Sequence, residues 1–429
     1  MGGLLGGGCT TREPADGSSN DSASNRSSPN ATNATNSSES AIQEDWLPTA
    51  KSPLEADIAS TELVVNLDVP WDLAFTSTGE LFVTERTGTL LRFETEDVLA
   101  VADDEVGPLD ATSVPETDRY RGLGDHLLGV TPHPDFPDPS LLYVYGTITH
   151  GEESYNRVLR YDPRAEEPEA TIEVLVDRLE GDYTIGGRLE FGPEGDLWVP
   201  IGTKTEDVAQ DPAVLGGNVL RLAPDGTPAA ANPSLGADAD PRTFTYGHRN
   251  PQGIDWLPNG VPLVTDHGPT GRDEINRLSP GANYGWPRAQ DESGYVDRPE
   301  YDRPLLNTGP DETWAPSGCV LYTGDAVPEW RSRLLVATLQ GRDLAIVTLR
   351  PPDADQPPLD GESTRYDMEW LDETYTATAH HVLEDEFGRL RNVAQAPDGT
   401  VLASSSNRDG LADEDPRDED DVLVRLTAA

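Results

Sequence analysis

Short apolar runs on either side of glycine-centred turns recur along the chain, about sixty residues apart. The first pair is Leu73-Ala-Phe with Gly79-Glu-Leu-Phe-Val-Thr84, and the second is Leu127-Leu-Gly-Val with Leu141-Leu-Tyr-Val-Tyr145. Leu189 to Val199, Gly253 to Val264, Cys319 to Val336 and Val393 to Leu402 repeat the pattern. Each pair continues into a third run with a basic-apolar ending, as in Leu90-Leu-Arg-Phe93, Asn218-Val-Leu-Arg221 and Val422-Leu-Val-Arg425. Alternating strands at a fixed long period are the mark of radial repetition, because one small sheet cannot bury its faces alone. No helical periodicity competes. The pattern predicts an all-β, six-bladed β-propeller over residues 55–429, with Thr61-Glu-Leu-Val-Val-Asn66 as the N-terminal strand that completes the last blade.

Between these strands, one stretch is dense in hydrogen-bonding groups. Tyr246-Gly-His-Arg-Asn-Pro-Gln-Gly253, Asp266 to Asn276 and Asn283-Tyr-Gly-Trp-Pro287 are rich in glycine and proline and read as loops at a binding mouth. Arg249 beside Asn250 suits a planar, multiply carboxylated anion. The Gly268-Pro269 turn offers backbone carbonyls to a hard cation such as calcium, with Asp273 and Glu274 as further oxygen donors.

Charge changes the expected environment. The chain has 31 basic and 78 acidic residues, a formal net charge of -47, and its only lysines are Lys51 and Lys204. Such self-repulsion calls for salt screening, as in a halophile, and disfavours nucleic acid as a partner. Residues 1–9 (MGGLLGGGC) look like the end of a secretory signal closing on a lipidated Cys9, with its start missing or misassigned, although Gly6 stands where a lipobox has an aliphatic residue. Residues 10–54 read as a flexible tether carrying five glycosylation sequons, at Asn20, Asn25, Asn30, Asn33 and Asn36. The expected location is therefore extracellular, at the cell surface, with a membrane contact only through Cys9. Cys319 is the other cysteine, expected as a buried small residue, so no disulfide framework exists.

The chain resembles the soluble pyrroloquinoline-quinone (PQQ) dependent sugar dehydrogenases, the glucose/sorbosone and aldose sugar dehydrogenases. Val69-Pro-Trp71, Val83-Thr-Glu-Arg86, Leu127 to Phe136, Gly186-Gly-Arg-Leu189, Gly217 to Leu222, Tyr246 to Pro287, Ala315-Pro-Ser-Gly318 and Gly388-Arg-Leu-Arg391 carry the resemblance. It implies PQQ and calcium as cofactors, a sugar or related alcohol as substrate, and an electron acceptor of unknown identity. It also implies cofactor contacts from Arg249 and Asn250, calcium on the carbonyls of Gly268 and Pro269, and PQQ carboxylates on Arg389 and Arg391. For these two arginines, one residue apart on one side of a strand, a structural ion pair is the alternative.

Departures from the family pattern are equally specific. Thr184 stands where the resemblance implies the histidine base, Gln340 where it implies a cofactor-contacting lysine, and Gly124 where it implies a glutamine. A threonine hydroxyl cannot take up a proton near neutral pH. Asp182, His126 and His267 are the candidates to replace the base. Two readings follow: a dehydrogenase with an altered base, or a propeller that has lost redox chemistry and binds a carbohydrate or protein.

Overall fold

The computed structural model describes residues 46–101, 107–151, 153–181, 184–411 and 421–429. Six sheets of four or five strands are arranged as blades, antiparallel throughout except where Val64 and Val65 pair parallel with Leu109 and Asp110. Their innermost strands are Pro70–Phe75, His126–Pro132, Glu190–Phe191, Pro251–Trp256, Pro316–Leu321 and Leu390–Gln395, in blades 1 to 6. Each blade touches the next through its inner strands or, between blades 3 and 4, through Leu197–Pro200, and the first blade meets the sixth, so the blades close into a ring around a channel. This is the expected six-bladed β-propeller.

Local sequence explains the blades. In blades 1, 3, 4 and 6 the first hairpin turns on the same device: the N–H of Gly79, Gly195, Gly260 or Gly399 donates to the carbonyl three residues earlier. All four glycines have φ between +82° and +94°, a region open to glycine and strained for other residues. Except at the far end of Leu142–His150 in blade 2, the second strands are buried along their whole length, as in Glu80–Glu85 and Leu334–Thr338. A strand covered on both faces reads as a continuous apolar run, which is why Leu81-Phe-Val83 and Leu334-Leu-Val-Ala337 stand out in the sequence.

Packing between blades builds the core. Trp71 from blade 1 joins Leu128, Tyr143 and Tyr145 of blade 2 and Leu189, Val199 and Leu220 of the blade 3 region in one buried cluster. The N-terminal strand Ile58–Val65 pairs antiparallel with Leu423–Ala428, Thr61 opposite Arg425, and completes blade 6 as expected. Outside the strands, the described residues hold only two short α-helices, Thr95–Leu99 and Glu292–Asp297, besides single 3-10 turns.

The tether was expected to run to residue 54, and here the structure corrects the boundary. Trp46 is buried edge-on against Tyr375, 6.2 Å between ring centres. Arg333 donates to the carbonyls of Thr49 and Lys51, at 3.1 and 2.7 Å. Residues 46–54 therefore belong to the folded unit. The signal, Cys9 and the five sequons lie outside the described residues.

Candidate functional site at one end of the channel

Arg249 and Asn250 stand immediately before the inner strand of blade 4, and a single carboxylate sets their position. Asp266 accepts the N–H of Asn250 (2.6 Å) and of Arg249 (3.2 Å), and its second oxygen also meets His248 Nδ1 at 3.1 Å. His248 is stacked on Tyr284 and its Nε2 lies 3.0 Å from Thr245 Oγ1, so the turn is held from both sides. The Arg249 guanidinium lies over Trp286 and donates through Nη1 to the carbonyls of His267 (3.0 Å) and Gly268 (2.7 Å). Burial holds its pKa below the usual arginine value.

Two loops of blade 3 are tied to this turn. Asn250 Oδ1 accepts the N–H of Gly186 at 2.6 Å, and Thr203 N–H donates to the Arg249 carbonyl at 2.8 Å. Gly202 is required between them: a Cβ there would lie 2.3 Å from Ile185 Cγ2 and 2.8 Å from Asn250 Oδ1. The turn at Gly268 is equally close-packed, since a Cβ on it would lie 1.9 Å from the Gly271 carbonyl oxygen.

These ties enclose a cavity of about 600 Å³ at the N-terminal ends of the blade 4 and blade 5 inner strands. Thr184, Arg249, Asn250, Gly268, Pro269, Asp273 and Gln340 all line it. Gln340 is held there by its N–H on the Trp314 carbonyl, 2.9 Å away. With His267, eight residues singled out in the sequence thus meet around one space.

The remaining candidates are placed differently. His126 opens the inner strand of blade 2, with Nδ1 2.9 Å from the Arg86 carbonyl, and does not line this cavity. Asp182 lies outside the described residues. Arg389 and Arg391 are buried and share Asp409: Arg389 Nη2 donates to its Oδ2 at 2.9 Å and Arg391 Nη2 at 3.3 Å. They thus form the structural ion pairs named above as the alternative. Arg389 also donates to the Leu339 carbonyl, one residue from Gln340, which puts the cluster directly behind the cavity wall. Arg391 lies over Trp71 and its buried Nε has no hydrogen-bond partner.

Asp273 and Glu274, expected as calcium donors, have protein partners instead. Asp273 Oδ1 accepts from Gly268 N–H, and its Oδ2 from the N–H groups of Trp314 and Ala315 and from Thr313 Oγ1. Glu274 accepts from Tyr295, Asn307 and Asn276, and burial pushes its carboxyl up to about 8. These carboxylates brace the loops. Among the described residues, no group of three or more His, Cys, Asp or Glu is placed to hold a metal.

Sequence reasoning passed over Thr203, Lys204, Asp311 and Glu312, which also line the cavity. The rarity of lysine was the available signal for Lys204. His267 lines it too, with Nε2 buried and unpartnered, and burial pushes its imidazole down to about 4, which leaves it neutral.

A propeller with a loop-built cavity at one end of the channel, lined by Lys204, Arg249, Asn250 and Gln340 together with three carboxylates, defines the class. Comparison with known proteins then gives the family: residues 67–413 match the glucose/sorbosone dehydrogenase family, and the chain belongs to it. That family is one of quinoprotein sugar dehydrogenases, which are oxidoreductases. The chain is 28% identical to the aldose sugar dehydrogenase of Escherichia coli over 80% of its own length and 89% of that protein's. Among solved structures, it is similar to an oxidoreductase of Thermus thermophilus assigned as a glucose dehydrogenase (33% identity, TM-score 0.65, 86% of this chain and 100% of that one). It is also similar to the PQQ-bound aldose sugar dehydrogenase of Streptomyces coelicolor (26% identity, TM-score 0.64, 89% and 99%).

Proposed function

We propose that the protein oxidises aldose sugars with PQQ and calcium at the cavity between the loops of blades 3, 4 and 5. The meeting of Thr184, Arg249, Asn250, Gly268, Pro269 and Gln340 around one space carries this reading. A volume of about 600 Å³ lies within the range of small-molecule sites. The unpartnered Nε of Arg391, in a cluster where two arginines share one carboxylate, leaves positive charge for an anion beside it. A flat tricarboxylate fits these residues. For calcium, the fit rests on the carbonyls of Gly268 and Pro269 alone.

When bound, PQQ would supply the acceptor for the hydride from the sugar C1 and calcium would polarise the accepting carbonyl. The chain's own residues do the rest. Arg249 and Asn250, fixed by Asp266, present cation and amide to the cofactor. Calcium on the Gly268 carbonyl would require Arg249 Nη1 to leave that oxygen and turn to the anion. Thr184 offers a hydroxyl that can orient a sugar hydroxyl but cannot hold its proton.

Adding PQQ and calcium in high salt should give a bound-cofactor absorbance, which exhaustive chelation removes. With an artificial acceptor, Thr184→His should raise aldose oxidation by roughly 10²–10⁴-fold, the worth of a positioned base. Thr184 also favours a second reading, a carbohydrate- or protein-binding propeller. That reading takes over if folded wild type and variant both fail to bind PQQ.

The sequence of residues 1–40 supports a location at the cell surface through a lipid on Cys9. Cys9→Ser should then move the protein from the membrane fraction to the medium, and a wild type already soluble inside the cell would end the idea. The net charge of -47 supports life in high salt. A melting temperature that does not rise between dilute buffer and molar salt would count against it.

A further inference from the structure

Gln340 lines the cavity from the turn between the second and third strands of blade 5, Leu334–Thr338 and Leu344–Arg350. It carries an uncharged amide, so what it offers a ligand depends on where the turn holds it. That turn needs holding: Arg342 within it takes a φ of +59°, a region strained for a residue with a side chain. The N–H groups of Gln340 and Gly341 donate to the Trp314 carbonyl, at 2.9 and 3.1 Å. Asp343 closes the base, its N–H donating to Thr338 Oγ1 (3.1 Å) while that hydroxyl donates back to Asp343 Oδ1 (2.6 Å).

Asp343 has a further partner. Its Oδ2 lies 2.9 Å from Nδ1 of His381, on the strand Thr376–Val382, and only about a tenth of either side chain is exposed (9% and 10%). The same imidazole meets Trp314 edge-on, 4.9 Å between ring centres. Trp314 Nε1 in turn donates to Glu312 on the cavity wall, at 2.5 Å. One side chain thus touches both supports of the Gln340 turn: the carboxylate at its base and the tryptophan whose carbonyl takes its N–H groups.

The charges around His381 are nearly all of one sign. Burial pushes its imidazole down, but Asp343, with Glu312 and Glu384 further off, outweighs burial and holds the pKa above the ordinary histidine value. On the strands beside it stand Ala345 and the backbone carbonyl of Glu362, and Arg342 is engaged with Asp385. Protonated, His381 gives Asp343 its counter-charge. Neutral, it leaves a buried carboxylate three residues from Gln340, unfavourable to any anion in the cavity.

We propose that His381 is a positioning residue for the cofactor site: its imidazolium neutralises Asp343 and fixes the turn that carries Gln340, so the cavity takes an anionic cofactor more tightly when His381 is protonated. The role rests on the PQQ reading above. It is tested by PQQ titration of the full chain with calcium in high salt, at about pH 5.5 and about pH 8.5. His381→Gln keeps a donor for Asp343 without the charge. Its Kd should exceed that of wild type roughly fivefold at the acid pH, and the two should converge at the alkaline one. Adding Asp343→Asn to His381→Gln removes the bare carboxylate and should recover most of the difference.

A ratio of the two Kd values that stays the same at both pH values would overturn the assignment and leave the PQQ reading intact. Hydrogen exchange gives a readout that needs no cofactor. The Gln340 and Gly341 amides should exchange faster in His381→Gln than in wild type at the acid pH, with the other blades unchanged. Equal exchange there would sink the proposal, and faster exchange throughout the propeller would do the same by making His381 a general support of the fold. A folded wild type that binds no PQQ ends the PQQ reading and leaves the brace to be decided by exchange alone.

Discussion

The two ends of the channel are built from the same six inner strands and have little else in common. At the N-terminal ends, long loops from blades 3, 4 and 5 make a lopsided cavity whose groups are held by backbone hydrogen bonds. At the C-terminal ends lies a second cavity, of about 500 Å³, to which all six inner strands contribute. It is lined mainly by strand residues, among them Asp72, Glu190, Asp255 and Asn392, with turn residues such as Ser77 and His133 at its edge. Asp72 there accepts from Arg188 and Asn392 and from the N–H groups of Leu73 and Val130. At one end the polar groups face a space held open by loops; at the other the charged groups that line the space are largely paired with one another. The ring's stability and its chemistry therefore depend on different carboxylates.

Breaking the strand-lined end should cost the fold and spare the site. Asp72→Ala leaves the buried Arg188 guanidinium without its counter-charge, and removing one partner of such a pair costs about 3–5 kcal/mol. Chemical denaturation should show that loss, while the folded fraction keeps its PQQ affinity within about twofold of wild type. A variant with unchanged stability would show that the two ends are not divided in this way.

The reverse experiment is Arg249→Gln. It removes a cation from the open end and should weaken PQQ binding by roughly 100-fold, with a stability change below about 1 kcal/mol. Isothermal titration and a thermal melt on the same preparation separate the two effects. Large losses in both would mean that the site loops carry the ring.

A smaller effect sharpens the contrast through pH. Burial, with Asp72 and Asp255 nearby, pushes the Glu190 carboxyl up to about 8, against hydrogen bonds from Thr131 and the Phe191 N–H. The folded state then keeps a proton that the unfolded chain releases near pH 4.5. Its contribution is fully present below about pH 4.5 and is lost as pH rises to about 8. Glu190→Gln should match wild type near pH 4 and be more stable by roughly 1–2 kcal/mol at pH 8.5, measured by denaturation at both values. An equal stability at pH 8.5 would place Glu190 in water rather than in the strand-lined end.

Much of the fold was legible because each blade repeats its cue. Thr76-Ser-Thr-Gly79 and Ala396-Pro-Asp-Gly399 announce the same turn, and the N-terminal strand follows from the alternation at Thr61–Asn66. The site was legible in its loops, since Arg249, Asn250, Gly268 and Gln340 do meet. What sequence could not give was the partner of each charge. Arg389 and Arg391 read as ligands for an anion, yet Asp409, in a separate loop, meets both. Asp273 read as a metal ligand, yet it is occupied by backbone groups 41 and 42 residues away, at Trp314 and Ala315. Trp46 shows the same limit for packing: a lone aromatic in a polar stretch gives no sign of Tyr375 waiting to cover it.

The pairing of Ile58 with Ala428 joins the first strand of the propeller to the strand Leu423–Ala428. During synthesis, the first strand can pair early only through Val64 and Val65, with Leu109 and Asp110, and its antiparallel neighbour comes more than three hundred residues later. A ribosome stopped short of Leu423 releases a chain in which both Ile58–Val65 and Val401–Ser405 present bare edges, each an invitation to another molecule. Truncations from the C-terminus consequently act on an all-or-nothing latch: the first few residues lost there threaten the ring far more than their number suggests.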